Sequence, residues 1–331
     1  MTYYKPCMRL NKVNLCWVLS EGRKGHEVQS LTLAQGLANH SHVHQFILQQ
    51  PWETFTPRII PGFQYGLKWP DHEPDFDHPP DIIITAGKKA AAVGKFISQK
   101  FKKETIELKH IQILDPKDNH TNYDLLLIPS HDQKSGLNII NFTGSLHPFS
   151  TQWFEHTKPD TLQASDSLAV ILGNPPAQYY KSGFKIELQK IRTTYPNQAL
   201  YLCGSPRLSK FAINKIKTAL KTNDIFWHNA NNGPNPYQAL LQHAKHLFVT
   251  ADSINMMNEC ASTDIPVTLL AKQYIKSKKH HRFIQSLTQR WQDFNAHNDE
   301  NISPVPYAMG EVLTKSRFQK LLNSPSSSKG G

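Results

Sequence analysis

Residues 246–270 combine two short apolar runs with an amphipathic segment between them, the pattern of a strand–loop–helix–strand unit. The run His246–Thr250 predicts a buried strand, and Ser253–Ser262 predicts a helix that follows a short polar elbow. The second run, Val267–Leu270, predicts another buried strand. Such a unit places the N-terminus of its helix at the carboxyl edge of a parallel sheet, where free backbone N–H groups can bind an anion.

The same alternation of short apolar runs and helical periods extends over most of the chain. Uninterrupted apolar strands are typical of parallel sheets that helices cover on both faces. The predicted strands are Asn14–Leu19, Val43–Leu48, Asp81–Thr85, His110–Leu114, Asp124–Ile128, Asn138–Phe142, Leu168–Leu172, Ala199–Cys203, Ile225–His228, His246–Thr250 and Val267–Leu270. The predicted helices are His26–Asn39, Lys88–Phe101, Gly183–Thr194, Ser209–Lys221, Tyr237–Lys245 and Ser253–Ser262. Two such sets predict an α/β fold of two Rossmann-like lobes with parallel sheets and a ligand cleft between them.

The boundary between the two lobes is predicted in the polar segment 150–167, which lacks a strong period. The first lobe then comprises residues 1–160 and the second residues 161–300. Helical spacing over 307–322 predicts a C-terminal helix that joins the first lobe. The composition of residues 324–331 predicts a disordered tail.

Composition limits the classes of function. Lysine and arginine exceed aspartate and glutamate by 37 − 26 = 11 residues, which favours anionic partners such as nucleotides, phosphorylated glycans or an acidic membrane surface. The charges are scattered and no nucleic-acid-binding motif occurs, so nucleic acid is not expected as a partner. No segment reaches the roughly 18–20 apolar residues that a membrane span needs. The four cysteines form no Cys-x-x-Cys pair, and a cytoplasmic protein is expected.

The loop after the first predicted strand, Ser20–Gln29, carries the strongest signal in the first lobe. Its glycines allow a tight turn, and Lys24 and Gly25 at a helix N-terminus are predicted to bind phosphate. His26 would be held there as a neutral imidazole able to accept a proton, which predicts a catalytic base. A strand–helix turn with a solvent-facing histidine explains the spacing equally well. Gly87, between a strand and a helix, repeats the design and is predicted to contact phosphate or the acceptor.

Polar residues follow two further strands of the first lobe. Asp115 comes directly after one predicted strand, and His131 follows the next. Because the carboxyl ends of parallel strands share one edge of the sheet, these residues are expected to face the substrate. Asp115 is therefore a second candidate for the catalytic base, and His131 is predicted to contact the acceptor.

In the second lobe, glycine or polar residues follow the central predicted strands directly. The predicted donor-binding residues are Gly173, Ser205, Arg207, Asp252, Ser253 and Glu259. Arg207 would neutralise a diphosphate leaving group, and Asp252 or Ser253 would cap the helix. Glu259 would accept hydrogen bonds from a ribose diol. Ordinary helix capping and a solvent-facing glutamate remain the alternatives for this segment.

Two further motifs have simpler explanations than a binding site. Asp75-Phe-Asp77 matches a metal-binding Asp-x-Asp pattern, but it lies in a proline-rich loop, and no metal is predicted. The basic segment Lys276–Phe283 could contact anionic lipid or a phosphorylated acceptor. A solvated helix face explains that segment better.

Several of these motifs occur together, in an order typical of one known family. They are Gly22-Arg-Lys-Gly-His26 with Gln29, Ala86-Gly-Lys-Lys89, Gln112-Ile-Leu-Asp-Pro116, Pro129-Ser-His-Asp132, Gly144-Ser-Leu-His147, Asn235-Pro-Tyr237 and Val249-Thr-Ala-Asp-Ser-Ile-Asn-Met256. In this set, which covers almost the whole chain, the sequence resembles the elongated-mitochondria, or mitochondrial fission, family. That family includes bacterial members regarded as lipooligosaccharide core glycosyltransferases.

The resemblance implies a two-lobed fold of the GT-B glycosyltransferase type. A fainter similarity to the lipid-linked N-acetylglucosaminyltransferases of peptidoglycan synthesis implies that His26 faces the acceptor and Glu259 the donor ribose. The family commonly has paired arginines after a second-lobe strand, where this chain has Arg207 alone.

The residues and the resemblance together predict a metal-independent GT-B-type glycosyltransferase without a cofactor, which uses a nucleotide-sugar as co-substrate. Its acceptor would be a lipid-linked or lipooligosaccharide-core glycan, met at the inner face of the cytoplasmic membrane by a peripheral protein. The alternative is a non-catalytic scaffold of the mitochondrial-fission type on a membrane surface. A nucleotide-sugar epimerase is disfavoured, because the loop after the first strand lacks a Gly-x-Gly-x-x-Gly fingerprint and no Tyr-x-x-x-Lys pair lies in a convincing helix.

Overall fold

The computed structural model describes residues 12–149, 167–292, 294 and 308–323. The chain forms two compact units, one of residues 1–148 with 308–331 and one of residues 149–307. Residues 150–166 of the predicted boundary and the predicted tail lie outside the described residues.

All the predicted strands and helices are present in the described part of the chain, most of them within three residues of the predicted bounds. The strands are β1 (Val13–Ser20), β2 (Ala38–Gln45), β3 (Ile47–Leu48), β4 (Leu67–Lys68), β5 (Ile82–Ala86), β6 (Lys109–Ile113), β7 (Leu125–Pro129), β8 (Ile139–Phe142), β9 (Leu168–Leu172), β10 (Leu200–Gly204), β11 (Ile225–Trp227), β12 (His246–Thr250) and β13 (Val267–Leu270). The helices are α1 (Lys24–Leu37), α2 (Trp52–Phe55), α3 (Phe63–Gly66), α4 (Lys88–Lys103), α5 (Phe184–Thr194), α6 (Lys210–Lys217), α7 (Tyr237–His243), α8 (Ile254–Ala261), α9 (Lys278–Ser286), α10 (Ala308–Leu313) and α11 (Ser316–Asn323).

The first unit is built on a parallel sheet of six strands in the order β2-β1-β5-β6-β7-β8. Every residue of β5 is buried, as expected for a strand with both faces covered. The order reverses between β1 and β5, so the chain leaves these neighbouring strands in opposite directions and opens a crevice at their carboxyl ends.

The second unit is built on a parallel sheet of five strands in the order β11-β10-β9-β12-β13. The central strand β9 and its neighbour β12 are buried along their whole length. The order reverses between these two strands, which defines a second crevice. The prediction of an α/β fold with two units on parallel sheets is confirmed.

Strand β2 begins at Ala38, five residues earlier than predicted. Helix α1 ends at Leu37, and the strand follows it without a loop. In the described part of the sheet β2 is an edge strand that pairs with β1. Its first residues are therefore mostly polar and exposed, and they lack the apolar run from which a strand is predicted.

The last two helices, α10 and α11, pack on the first unit. Met309 is buried against Gly36 of α1, where an added Cβ would lie 2.7 Å from the methionine Cε. Arg317 donates hydrogen bonds to the carbonyl oxygens of Gly136 at 2.9 Å and Ile139 at 3.0 Å. No helix in the described ranges is long and apolar enough to cross a membrane.

A buried arginine closes the far end of helix α8. The guanidinium of Arg290, which is 3% exposed, donates to the carbonyl oxygens of Ala261 at 2.9 Å, Thr263 at 2.6 Å and Ile265 at 2.6 Å. Helix C-termini leave carbonyl groups without intrahelical partners and carry a partial negative charge. Arg290 satisfies both demands and fixes the turn that leads from α8 into β13.

Replacing Arg290 by methionine is expected to lower the free energy of unfolding by at least about 3 kcal/mol, because three buried carbonyls lose charged donors. Arg58→Met is the matched control, since Arg58 is exposed, and it should change stability by less than about 0.5 kcal/mol. Denaturant unfolding of both variants measures the difference. Equal stability of the two variants would contradict the role assigned to Arg290.

Gly94 of α4 lies against the buried ring of His110. A Cβ at Gly94 would lie 2.5 Å from both Cε1 and Nε2 of that ring, which is held by a 2.7 Å contact of Nε2 with the Thr85 hydroxyl. Gly94→Ala is therefore expected to destabilise the chain, because overpacking costs about 1–3 kcal/mol and outweighs the ~1 kcal/mol that alanine gains in a helix.

Gly36→Ala is the control for this prediction, because the one close neighbour of its added Cβ would be the flexible end of Met309, while Leu313 Cδ1 would lie at an ordinary contact distance of 3.9 Å. Its free energy of unfolding should stay within about 1 kcal/mol of the unchanged chain. Denaturant midpoints of the two variants give the comparison. A Gly94→Ala variant as stable as Gly36→Ala would show that His110 can move aside.

Candidate functional site

In the first unit the loops after β1 and β5 meet where the strand order reverses. Helix α1 begins at Lys24, two residues earlier than predicted, so His26 lies in its first turn. Gly87 precedes α4 with a φ of +84°. A Cβ at Gly87 would lie 2.6 Å from Cε1 of His26, so the close approach of the imidazole requires glycine there. The structure thus brings together His26 and Gly87.

Glu21, in the same loop, lies among three cationic or basic groups. Its carboxylate, 8% exposed, is 3.3 Å from Nδ1 of His26, 3.4 Å from Nε of Arg23 and 3.6 Å from Nζ of Lys89. Burial opposes ionisation of Glu21, but the nearby His26 imidazole and the charges of Arg23 and Lys89 outweigh it and lower the pKa of the carboxyl. An ionised Glu21 can hold the His26 ring and stabilise the imidazolium that forms when His26 takes a proton.

Lys24 and Gly25 are exposed in the first turn of α1. The Lys24 ammonium pairs with Glu27 at 2.9 Å, and the Gly25 carbonyl accepts a hydrogen bond from Gln29 at 2.9 Å. Glu27 also accepts a hydrogen bond from Ser20 at 2.7 Å, which ties the helix start to the end of β1. Lys24 therefore shares its charge with Glu27, and phosphate binding by this turn stays a prediction.

Asp115 follows β6, two strands away from β1 in the sheet, about 10 Å by strand spacing. Its carboxylate accepts hydrogen bonds from the Lys117 ammonium and amide, both at 2.8 Å, and Lys134 lies 3.8 Å away. Burial opposes ionisation, but the Lys117 hydrogen bonds and the lysine charges outweigh it and lower the pKa of Asp115. Such a carboxylate is a weak proton acceptor.

His131 lies in the turn after β7 and is buried, with 6% of its surface exposed. Its predicted contact with the acceptor stays a prediction.

In the second unit the loops after β9 and β12 are joined where the strand order reverses. The Gly173 amide donates to the Thr250 hydroxyl at 2.8 Å, and the Asn174 amide donates to Asp252 Oδ2 at 2.6 Å. A Cβ at Gly173 would lie 2.5 Å from Asp252 Oδ2, so the loop requires glycine for the carboxylate to approach. Gly173 and Asp252 therefore form one structural element at the crevice.

The sequence left Asp252 and Ser253 as alternative caps of α8, and the structure distinguishes them. Ser253 is the N-cap, and its Oγ accepts the Met256 amide at 3.5 Å. Asp252 instead binds the Asn174 amide, and its second oxygen, Oδ1, is buried without a hydrogen-bond partner among the described residues. The capped N-terminus of α8 faces the carboxyl edge of the sheet, as the unit's connectivity dictates.

Ser205 and Arg207 follow β10, next to β9 in the sheet. Ser205 is buried, its amide donates to the Leu172 carbonyl at 2.7 Å, and its hydroxyl accepts the Arg207 amide at 3.2 Å. The Arg207 side chain is exposed, and no acidic residue in the described part of the chain pairs with it. An unpaired guanidinium at the carboxyl edge is available to an anionic ligand.

Glu259 lies on α8 and is partly exposed. One of its carboxylate oxygens, Oε2, accepts a hydrogen bond from the Tyr237 hydroxyl at the start of α7. Burial raises the pKa of the Glu259 carboxyl to about 7, against the Tyr237 hydrogen bond, which acts to lower it. This places its titration near neutral pH.

Sequence reasoning quoted Glu21, Lys89 and Tyr237 within motifs but gave them no role. Each of these residues contacts a side chain that lies elsewhere in the chain or across a loop, so the periodicity of its own segment does not predict the contact. The signal that could have found Glu21 is a carboxylate at the end of a buried strand, five residues before a candidate base. No sequence signal identifies Tyr237, because its hydroxyl meets Glu259 only through the packing of two helices.

The described residues hold no group of three or more histidine, cysteine, aspartate or glutamate side chains arranged to bind a metal ion. Asp75 of the Asp-x-Asp pattern is exposed, accepts the Asp77 amide at 3.1 Å and lies 2.9 Å from Nδ1 of His78. It therefore forms a local turn.

Comparison with known proteins gives one curated relative and several solved structures. An uncharacterized protein, RP120, of Rickettsia prowazekii (strain Madrid E) is 24% identical over 320 residues, which cover 83% of this chain and 88% of the relative. The UDP-GlcNAc 2-epimerase of Methanocaldococcus jannaschii has a TM-score of 0.47 and 11% identity, over 91% of this chain and 98% of the epimerase. Acinetobacter baumannii MurG has a TM-score of 0.46 and 10% identity, over 95% of this chain and 93% of MurG. These structural likenesses are too weak to assign an activity.

A comparison with protein-family models also gives a match over most of the chain. The model of the family described as mitochondrial fission ELM1 matches residues 24–306, which include His26, Asp115, Arg207 and Glu259. The resemblance predicted from the sequence is confirmed, and the chain belongs to the mitochondrial fission ELM1 family.

Proposed function

We propose that this chain is a GT-B-type glycosyltransferase that moves a sugar from a nucleotide-sugar to a glycan acceptor. The donor binds at the carboxyl edge of the second unit's sheet, and the acceptor binds at the corresponding edge of the first unit. Neither a metal nor a cofactor is part of the proposal, because Arg207 and the α8 N-terminus supply positive charge for the departing diphosphate.

The observation that carries the proposal is the set of groups that follow strands β9, β10 and β12 at the carboxyl edge of the second unit's sheet. They combine a glycine turn without a side chain, a capped helix N-terminus, the unpaired cation of Arg207 and the partly exposed carboxyl of Glu259. A diphosphate needs cationic or N–H donors, and a ribose diol needs an acceptor of two hydrogen bonds. A nucleoside diphosphate requires both in one place, which supports a nucleotide donor.

In the proposed reaction an acceptor hydroxyl attacks the anomeric carbon of the donor sugar. The bond from that carbon to the diphosphate oxygen breaks, and the nucleoside diphosphate leaves with the electron pair. His26 takes the proton of the attacking hydroxyl, and the Glu21 carboxylate stabilises the resulting imidazolium. His26 is preferred over Asp115 because the lysines around Asp115 lower the pKa of its carboxyl and weaken it as a base.

We place the acceptor on a membrane, as a lipid-linked or lipooligosaccharide-core glycan, and the chain at the cytoplasmic face of that membrane. Support comes from the segment between β2 and β5, in which Ile47, Phe55 and Tyr65 are 55%, 49% and 70% exposed. Arg58 and Lys68 of the same segment are also exposed. Exposed aromatic and apolar side chains interspersed with cations suit the surface of an anionic bilayer.

The same segment favours one second candidate, a non-catalytic scaffold that binds a membrane surface. The family's description as a mitochondrial fission family agrees with work at a membrane. In the second unit, the basic segment Lys276–Phe283, much of it in α9, also has the charge to bind anionic lipid. A scaffold would bind anionic vesicles independently of nucleotides and without need of Glu259.

The donor site is tested by thermal unfolding with UDP, GDP, ADP or CMP and their common sugar conjugates. At a hundredfold excess over its dissociation constant, the correct nucleotide should add about 2.7 kcal/mol of apparent stability. Arg207→Ala should reduce this gain, because the diphosphate loses its cation. Arg58→Ala, which removes an exposed arginine from the first unit, should leave the gain unchanged.

Absence of stabilisation by every nucleotide would contradict the donor site. Nucleotide-independent binding to phosphatidylglycerol vesicles, together with that result, would establish the scaffold instead. If Arg207→Ala and Arg58→Ala reduce the nucleotide-dependent stabilisation equally, the nucleotide does not bind beside Arg207.

His26→Gln is expected to reduce sugar transfer by about 10²- to 10⁴-fold, the usual contribution of a general base, while nucleotide stabilisation stays unchanged. The assay supplies the stabilising nucleotide-sugar with a bacterial lipid extract and measures release of the nucleoside diphosphate. His72→Gln, at an exposed position, is the control. Full transfer by His26→Gln would remove His26 from the mechanism and leave Asp115→Asn as the next variant to assay.

A further inference from the structure

The Tyr237–Glu259 pair links two helices at the carboxyl edge of the second unit. Tyr237 is the first residue of α7, and its hydroxyl donates to Oε2 of Glu259 on α8. In the described part of the chain no other group hydrogen-bonds the carboxylate, and Oε1 has no protein partner. Because Glu259 is partly exposed, a ligand can reach this second oxygen.

Among the charged and titratable groups around the pair, Tyr237 is the one that shifts the pKa of Glu259. Burial raises the pKa of the Cys203 thiol on β10 and of the Cys260 thiol on α8, so both stay neutral at physiological pH. Arg290, behind the end of α8, is held by three backbone carbonyls. Burial and the Glu259 charge raise the pKa of Tyr237 well above its usual value, so its hydroxyl keeps the proton that it donates.

The protonation state of Glu259 determines what its free oxygen can accept. An ionised carboxylate accepts hydrogen bonds at both oxygens, whereas the protonated form loses part of that capacity and carries no charge. With a pKa of about 7, both forms exist at neutral pH. Any group that donates to the carboxylate favours the ionised form.

We propose that Tyr237 is a positioning residue of the donor site, whose hydroxyl holds one oxygen of Glu259 so that the other accepts hydrogen bonds from the vicinal hydroxyls of a ribonucleotide. The inference rests on the proposed donor site and assigns it two further properties. The site selects ribonucleoside over 2′-deoxyribonucleoside diphosphates, and it binds them more tightly as pH rises through neutrality. Tyr237 sets the pH at which that rise occurs.

The first experiment needs no ligand. The native state keeps the Glu259 proton to about pH 7, whereas the unfolded chain releases it at lower pH, so the stability that this group contributes falls as pH rises. Denaturant unfolding from pH 5 to 9 isolates that loss as the difference between the unchanged chain and Glu259→Gln. The corresponding loss of stability is also measured as the difference between Tyr237→Phe and the Tyr237→Phe/Glu259→Gln double variant. In this pair the loss should continue to a pH about one unit higher, because Glu259 without its hydrogen-bond donor keeps its proton longer.

The second experiment measures the dissociation constants of UDP, GDP and ADP, and of their 2′-deoxy counterparts, by calorimetry between pH 6 and 9. Affinity for the bound ribonucleotide should rise about tenfold between pH 6 and 8 as Glu259 ionises. In Tyr237→Phe the rise should shift to higher pH and affinity should recover near pH 9. Glu259→Gln should bind weakly with little of this pH dependence, and 2′-deoxy nucleotides should bind more weakly to the unchanged chain.

Tyr201→Phe is the matched control, because Tyr201 is a partly buried tyrosine of β10 that does not contact Glu259. It should bind with the unchanged pH profile. Comparing variants on one nucleotide removes the titration of the phosphate itself, because that titration is common to all of them.

Three results would overturn the inference in distinguishable ways. If the unchanged chain binds no nucleotide, the proposed donor site fails and this inference fails with it. If nucleotides bind and Tyr237→Phe keeps the unchanged midpoint, only the role of Tyr237 fails. A loss of affinity in Tyr237→Phe that is equal at every pH would show that the tyrosine supports the fold and does not tune Glu259.

Discussion

Both units depend on parallel strands that are covered on both faces, so a polar group on a strand must find its partner inside the protein. Thr85 in the middle of the first sheet shows this demand, since its hydroxyl bonds Gln112 at 2.6 Å and lies 2.7 Å from a nitrogen of His110. Polar side chains meet solvent or ligand mainly where strands end. The reversals of strand order then decide which ends lie side by side: His26 and Gly87 meet at the first reversal and Gly173 and Asp252 at the second, whereas Asp115 and Arg207 follow neighbouring strands.

The two carboxylates at these places are tuned in opposite directions by the same physical terms. Burial disfavours the charge of each. At Glu21 the imidazole and two cations more than compensate for burial, whereas at Glu259 a single neutral hydroxyl does not. One carboxylate thus stays a fixed negative charge beside the His26 imidazole, and the other titrates close to neutrality.

Much of the fold could be predicted because a strand that is buried on both faces needs an uninterrupted apolar run, which is visible in the sequence. Leu168–Leu172 and His246–Thr250 were predicted to the residue, since each is centred on consecutive apolar residues between polar turns. The early start of β2 could not be predicted, because an edge strand has little need of apolar residues. The helical spacing over 307–322 predicted one C-terminal helix, where the structure has two, α10 and α11.

The candidate site was less predictable because its contacts join distant segments. Sequence spacing left Asp252 and Ser253 equivalent as caps, and only the approach of the loop after β9, which engages Asp252, separates them. Glu259 was identified on its helix, but its partner Tyr237 lies 22 residues earlier. The lysines that bind Asp115 were likewise visible in the sequence without any sign that they surround its carboxylate.

The Lys89 side chain contacts carboxylates in two different parts of the first unit. Its ammonium is shared between Glu21, beside His26, and Glu53 of α2, in the segment that exposes Ile47, Phe55 and Tyr65. The imidazole of His26 and the exposed segment are therefore separated by one lysine side chain and the two carboxylates that share its charge, so the position of α2 and the electrostatic surroundings of His26 are coupled through a single ammonium group.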